Sequence, residues 1–180
     1  SVHITTLRMP SCNAARRSSR KATGHSPNVG CRASPRFGSG VAASAMGGHL
    51  VDQDGAPLPD QVSGLNNHEA LIDGVAPALD SFSFARSAMA DGVTVKLSGQ
   101  DPLPISGVIL TARNALGKAG TLREFAIEVS VDAKRFVPVL TETMSPAPIA
   151  QPFIFERPTL ATHLRLIPKS AWTFGNSESN

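Results

Sequence analysis

Between residues 41 and 172 the apolar residues come in short runs separated by Gly, Pro, Asn and Asp, and no stretch keeps an apolar face at helical spacing for ten residues. A chain written this way cannot assemble a layer of helices, so its core has to be made of strands. Seven runs qualify as strands: 49–51, 93–97, 105–112, 124–131, 136–143, 152–156 and 163–167. The clearest is the fourth, where Phe125, Ile127, Val129 and Val131 alternate with Glu124, Ala126, Glu128, Ser130 and Asp132. Such alternation gives one apolar and one polar face and fixes the register strongly. Residues 132–135, Asp-Ala-Lys-Arg, then form a polar break before Phe136, which predicts a hairpin with a four-residue loop and places Phe125 and Phe136 on the core face. Pro138 lacks the N–H of a ladder donor and predicts an edge strand or a bulge. Helices do not alternate with strands, which excludes a doubly wound α/β fold. The expectation is an all-β, antiparallel jelly-roll β-sandwich over residues 40–175, followed by a disordered tail at 176–180.

Charge divides the 180-residue chain. No acidic residue precedes Asp52, while Arg8, Arg16, Arg17, Arg20, Lys21, Arg32 and Arg36 crowd the start. From residue 41 onward ten basic residues face fourteen acidic ones, so the overall charge of +3 belongs to the amino-terminal stretch. Residues 1–39 are rich in Ser, Arg, Ala, Gly and Pro, and they read as a disordered basic tail or linker that adds nothing to the sandwich. Clustered arginine attracts phosphate backbones and anionic lipid. Stacking aromatics are nearly missing there, Phe37 being the exception, so no nucleic-acid partner is expected. Cys12 and Cys31, the only cysteines, also lie in this stretch, which leaves the sandwich with no internal disulfide and no cysteine metal site. No run of eighteen apolar residues predicts a transmembrane segment.

Five pieces, in order, resemble the discoidin, or coagulation-factor type C, family of the galactose-binding-like fold. They are Met46-Gly47-Gly48-His49-Leu50-Val51, Ala70-Leu71-Ile72-Asp73-Gly74, the strand from Ile105 to Arg113, Val129-Ser130-Val131-Asp132 leading to Phe136, and Ala161-Thr162-His163-Leu164-Arg165-Leu166-Ile167-Pro168. The resemblance implies an eight-stranded sandwich that presents loops at one end to glycans, lipid head groups or proteins, in an extracellular or cell-envelope setting. Three departures stand out. Phe82 and Phe84 occupy the stretch where the family commonly has tryptophan, and Ala133 stands where its Ser-x-Asp-Gly turn has glycine. The chain also stops at Asn180, so the domain either lacks a closing strand or takes it from the amino-terminal region.

The resemblance further implies a calcium-binding turn at Asp73, with Asp80 the second carboxylate nearby. Calcium takes six to eight oxygens, and two candidate donors favour the alternative in which Asp73 only hydrogen-bonds its own turn. No other cofactor is expected. Asn66, Asn67 and His68 before that turn, and Arg113 and Asn114 after the third strand, form the densest polar group outside the amino-terminal stretch. Their amide, imidazole and guanidinium groups suit the paired donors and acceptors of a sugar. A sugar site also calls for an exposed aromatic platform, and Phe82, Phe84 and Trp172 each read as core first. Catalytic constellations are absent from the sequence. The residue four after His68 is Ile72, which breaks the zincin pattern, and Ser18-Ser19-Arg20-Lys21 matches Ser-x-x-Lys only by spacing. His49 and His163 fall in strands and read as structural. A non-catalytic module for carbohydrate or another cell-surface ligand follows, with a structural or protein-interaction module as the alternative.

Overall fold

A computed structural model of the chain describes residues 2–7, 42, 44–52, 54–58, 71–72, 92–112 and 121–172. Among the described residues eight strands form two antiparallel sheets: β1 (Val2–Leu7), β2 (His49–Val51), β3 (Val93–Lys96), β4 (Leu103–Ala112), β5 (Glu124–Ser130), β6 (Val137–Thr143), β7 (Ala150–Ala161) and β8 (His163–Pro168). The smaller sheet runs β1-β4-β7 and the larger β2-β3-β8-β5-β6. All seven runs read from the sequence are strands, most within two residues of the expected ends. No described helix is long and apolar enough to cross a membrane.

The two inner faces enclose the core. Ile105, Val108 and Leu110 of β4 are fully buried, as are Phe125 and Ile127 of β5 and Leu164 and Leu166 of β8. The Phe125 and Phe153 rings meet edge to face at 4.9 Å, one from each sheet, and so join the two layers directly. Leu71 and Ile72 close the core from outside the strands, and the Ile72 carbonyl accepts a 2.9 Å hydrogen bond from the Ser44 N–H.

Three expectations are corrected. Composition put residues 1–39 outside the sheet, with an added strand from the amino-terminal region as the alternative; for Val2–Leu7 the alternative holds, pairing along β4 from Val2 opposite Ala112 to Leu7 opposite Gly107. Thr6 and Leu7 are buried, and the Thr6 hydroxyl accepts from the Ala42 N–H. Residues 8–41 lie outside the described set. Second, Phe136 is half-buried rather than core, because its ring lies beneath the Arg165 guanidinium, whose central carbon is 3.6 Å from the ring centroid on the outer face of the larger sheet. Third, Val131 is exposed, since β5 ends at Ser130 and the chain turns there.

β7 also runs well beyond 152–156. It stays in the sheet because residues 155–158 bulge opposite Ser106, the register passing from Ile105 opposite Thr159 to Gly107 opposite Ile154. Gly107 lets the strands close there, since a Cβ would sit 2.4 Å from the Phe153 carbonyl oxygen.

The β5–β6 turn bears out the glycine departure. The Asp132 Oδ1 accepts hydrogen bonds from the Lys134 and Arg135 N–H groups and from the Ser130 hydroxyl, each 2.9 Å. To close that ring Ala133 takes φ +62°, in the left-handed region. A Cβ there costs about 1–2 kcal/mol, part of which glycine gives back in unfolded-chain entropy. Ala133→Gly is therefore expected to raise stability by about 0.5–1 kcal/mol. A chemical-denaturation midpoint that stays put or falls would contradict the strain.

Candidate functional site

Pairing of the strands decides which residues share an end. Ala112 of β4, Glu124 of β5, Thr143 of β6, Ala150 of β7 and Pro168 of β8 lie at one end of the sandwich, as their registers require. There Leu122 bridges Ala171, and the Trp172 N–H donates to the Thr121 carbonyl at 2.8 Å. The Trp172 indole Nε1–H donates to the Met144 carbonyl at 2.9 Å, which fixes the ring on the β6–β7 loop. Arg123 places its guanidinium carbon 4.9 Å from the ring centroid. Beside this pair the Ser170 hydroxyl donates to a Glu124 carboxylate oxygen at 2.8 Å. The β6–β7 loop is braced by Gln151, whose amide oxygen accepts from the Ser145 N–H at 2.8 Å and whose nitrogen donates to the Ser145 carbonyl at 3.0 Å.

Trp172 is half-buried and stands outside the core cluster, which corrects its assignment as a core residue. An anchored indole with an arginine at its face offers a flat apolar surface together with a planar donor array. The segment holding Arg113 and Asn114 joins the described residues at Ala112 and Thr121, which brackets it between two positions at the Trp172 end. Arg113 and Asn114 themselves lie outside the described residues. So do Asn66, Asn67 and His68, and so do Asp73 and Asp80, whose nearest described neighbours are the buried Leu71 and Ile72. Among the described residues no three His, Cys, Asp or Glu side chains come together to hold a metal.

The opposite end carries a row of His49, Lys96, His163 and Ser130 in register across four strands. His163 is buried, with Nδ1 2.8 Å from the Thr162 hydroxyl. Burial, and then the charges of Lys96 and His49, lower its pKa from 6.5, against an opposing pull from Asp132. Asp132 is itself pulled from 3.8 to about 2, first by the Arg135 N–H, then by the Lys134 N–H and the Ser130 hydroxyl. Both shifts are depressions, so each contribution to stability is whole at neutral pH and fades on acidification. That of His163 declines below pH 6.5, where the unfolded chain takes up a proton that the buried ring resists. That of Asp132 is lost between about pH 3.8 and about 2. An NMR titration of the folded protein is expected to show the His163 ring titrating below 6.5 and the Asp132 carboxyl near 2. An Asp132 midpoint near 3.8 would show that the turn does not hold its carboxylate as described.

No family model and no curated protein matches the sequence. Solved structures do match. The family 32 carbohydrate-binding module from Streptococcus pneumoniae EndoD superposes with a TM-score of 0.51 at 13% identity, over 74% of this chain and 90% of that one. The chain has the galactose-binding-like fold. Two Clostridium perfringens structures align on this fold less closely. CpGH89CBM32-5 in complex with GalNAc-β-1,3-galactose matches at 19% identity and TM-score 0.49, over 63% of this chain and 79% of that one. The family 32 module of NanJ in complex with galactose matches at 13% and 0.49, over 69% and 89%.

Within the galactose-binding-like fold, the strands are occupied by core packing and the loops at the ends are free to vary in chemistry. Arg123 was not singled out from sequence. Its signal is weak there, because only the pairing of Leu122 with Ala171 brings it to Trp172.

Proposed function

We propose that this chain is a non-catalytic carbohydrate-binding module whose ligand seats at the sandwich end marked by Trp172. The observation that carries the reading is the Trp172 indole, half-buried, tied to Met144 and flanked by Arg123, at the end where the segment bearing Arg113 and Asn114 begins and ends. A sugar ring has an apolar C–H face and a rim of hydroxyls. The first matches an indole surface, and the second matches guanidinium, amide and carboxylate groups. The fold shared with the EndoD module supports the same reading. Arg113, Asn114, Asn66, Asn67 and His68 are the residues proposed to supply the remaining hydrogen bonds.

The test is direct because Trp172 is the only tryptophan and the chain has no tyrosine, so intrinsic emission reports this one position. Titration with galactose and with glycans selected on an array is expected to change that emission saturably. Trp172→Ala should abolish array binding while the circular dichroism spectrum is kept. Arg113→Ala should weaken binding by roughly 1.5–3 kcal/mol, the worth of a charge-assisted hydrogen bond. Glycan binding undiminished in Trp172→Ala would move the site elsewhere.

A further inference from the structure

β6 and β7 are the outer strands of their respective sheets on one side of the sandwich, and a cleft of about 540 Å³ opens between them. Val137, Pro138 and Val139 form one wall, and residues 155–160 of β7 form the other. Six large apolar side chains are exposed among the described residues. Five of them, Val131, Val137, Ile149, Ile154 and Leu160, lie on β6, on β7 or in the turns joining these to their neighbours. Val137 and Leu160, 50% and 57% exposed, line the cleft itself. Large apolar side chains exposed in a cleft mark a contact face.

The chemistry of the rim selects the occupant. Pro138 on β6 and Pro158 on β7 remove backbone donors from the two strands, which disfavours strand addition and leaves side chains to make the contact. Phe155, the only aromatic lining the cleft among the described residues, is buried, so those residues offer no platform for a sugar. Glu156 and Arg157 stand next to each other on the lip, both exposed and neither in an ion pair with another described residue. An apolar patch bordered by adjacent opposite charges is complementary to itself after a two-fold rotation, in which each residue meets the other's counterpart reciprocally.

We propose that this cleft is the contact between two copies of the chain, an isologous dimer in which Glu156 faces Arg157 of the partner subunit. The dimer places two ligand-binding ends in one particle, which raises avidity for a repeated glycan without a new contact.

Sedimentation velocity on the full chain, from about 1 μM to 1 mM, tests it, the range covering the affinities of modest interfaces. The expected result is a concentration-dependent shift from monomer to dimer. Val137→Asp, at an exposed position, should hold the protein monomeric with its circular dichroism unchanged. Glu156→Arg alone and Arg157→Glu alone should each weaken dimerisation about tenfold or more, and the two together should restore it, as expected of paired charges. A monomer at every concentration would overturn the proposal. So would a dimer indifferent to the single reversals, or one that the double reversal fails to restore. Trp172→Ala should leave the dimer intact, which separates this contact from the glycan site.

Discussion

Phe125→Ala is expected to remove about 3–5 kcal/mol of stability, the largest effect of any single substitution considered for this chain. Phe125 is fully buried near the start of β5, which lies between β8 and β6, where Pro168 and Glu142 are its partners. Its ring meets Phe153 of the opposite sheet edge to face at 4.9 Å, so truncation opens a cavity where the two layers are joined. A domain of this size holds about 5–15 kcal/mol in all, which leaves the variant marginal. With a urea slope of roughly 2 kcal/mol per molar, the midpoint should fall by about 2 M. Phe153→Ala should cost less because Phe153 is only half-buried. A double-mutant cycle is expected to return about 0.5–1.5 kcal/mol for the aromatic pair itself. Phe136→Ala is the internal control. From sequence both phenylalanines belonged to the core face, but Phe136 lies under Arg165 on the outer face and should cost about 1 kcal/mol, in the range of an exposed cation–π contact. Equal losses for Phe125→Ala and Phe136→Ala would mean that the β5–β6 register differs from the one described.

What the sequence made legible was the part written locally. The 124–130 alternation is a period-two signal that survives without neighbours, and β5 begins at Glu124 as read. The Asp132 turn was legible down to its anomaly, because a ring of hydrogen bonds to one carboxylate oxygen forces a left-handed residue and the sequence puts alanine there. β7 was read as 152–156, whereas it continues to Ala161 because a four-residue bulge opposite Ser106 keeps it in the sheet, an arrangement set by the partner strand and not by the local pattern. The candidate site was hidden for another reason. Glu124 and Ser170 are 46 positions apart, and Trp172 meets Arg123 only because Leu122 pairs with Ala171. No window along the chain contains both residues. Trp172 was read as core because large aromatics usually are, a prior that carries no information on which end of a sandwich the chain leaves by.

Removal of residues 1–7 is the second large expected effect, and it reverses the reading that composition invites. Seven basic residues and much Ser, Gly and Pro in the first forty positions describe a chain that cannot fold by itself. Averaged over that window, Val2-His3-Ile4-Thr5-Thr6-Leu7 disappears, although by itself it is rich in β-branched residues and long enough for a strand. In the fold those six residues pair one for one with residues 107–112 and make one of the three strands in the smaller sheet. Leu7 is 7% exposed and Thr6 fully buried. A chain beginning at residue 8 loses that ladder, worth about 0.5–1.5 kcal/mol net per hydrogen bond, together with about 1.5–3 kcal/mol for burying Leu7. Part of the loss is offset by the entropy of six residues no longer fixed, so a net cost of about 3 kcal/mol is expected, and with it a fall of roughly 10 °C in thermal midpoint. The same truncation leaves β4 as an unpaired edge of ten residues, and light scattering should show aggregation on heating that the intact chain does not. Leu7→Asp provides the second measurement, since a carboxylate at that buried position should destabilise comparably while keeping the chain's full length. If both variants melt within about 1 °C of the parent, Val2–Leu7 contributes nothing to the sheet, and composition was the better guide.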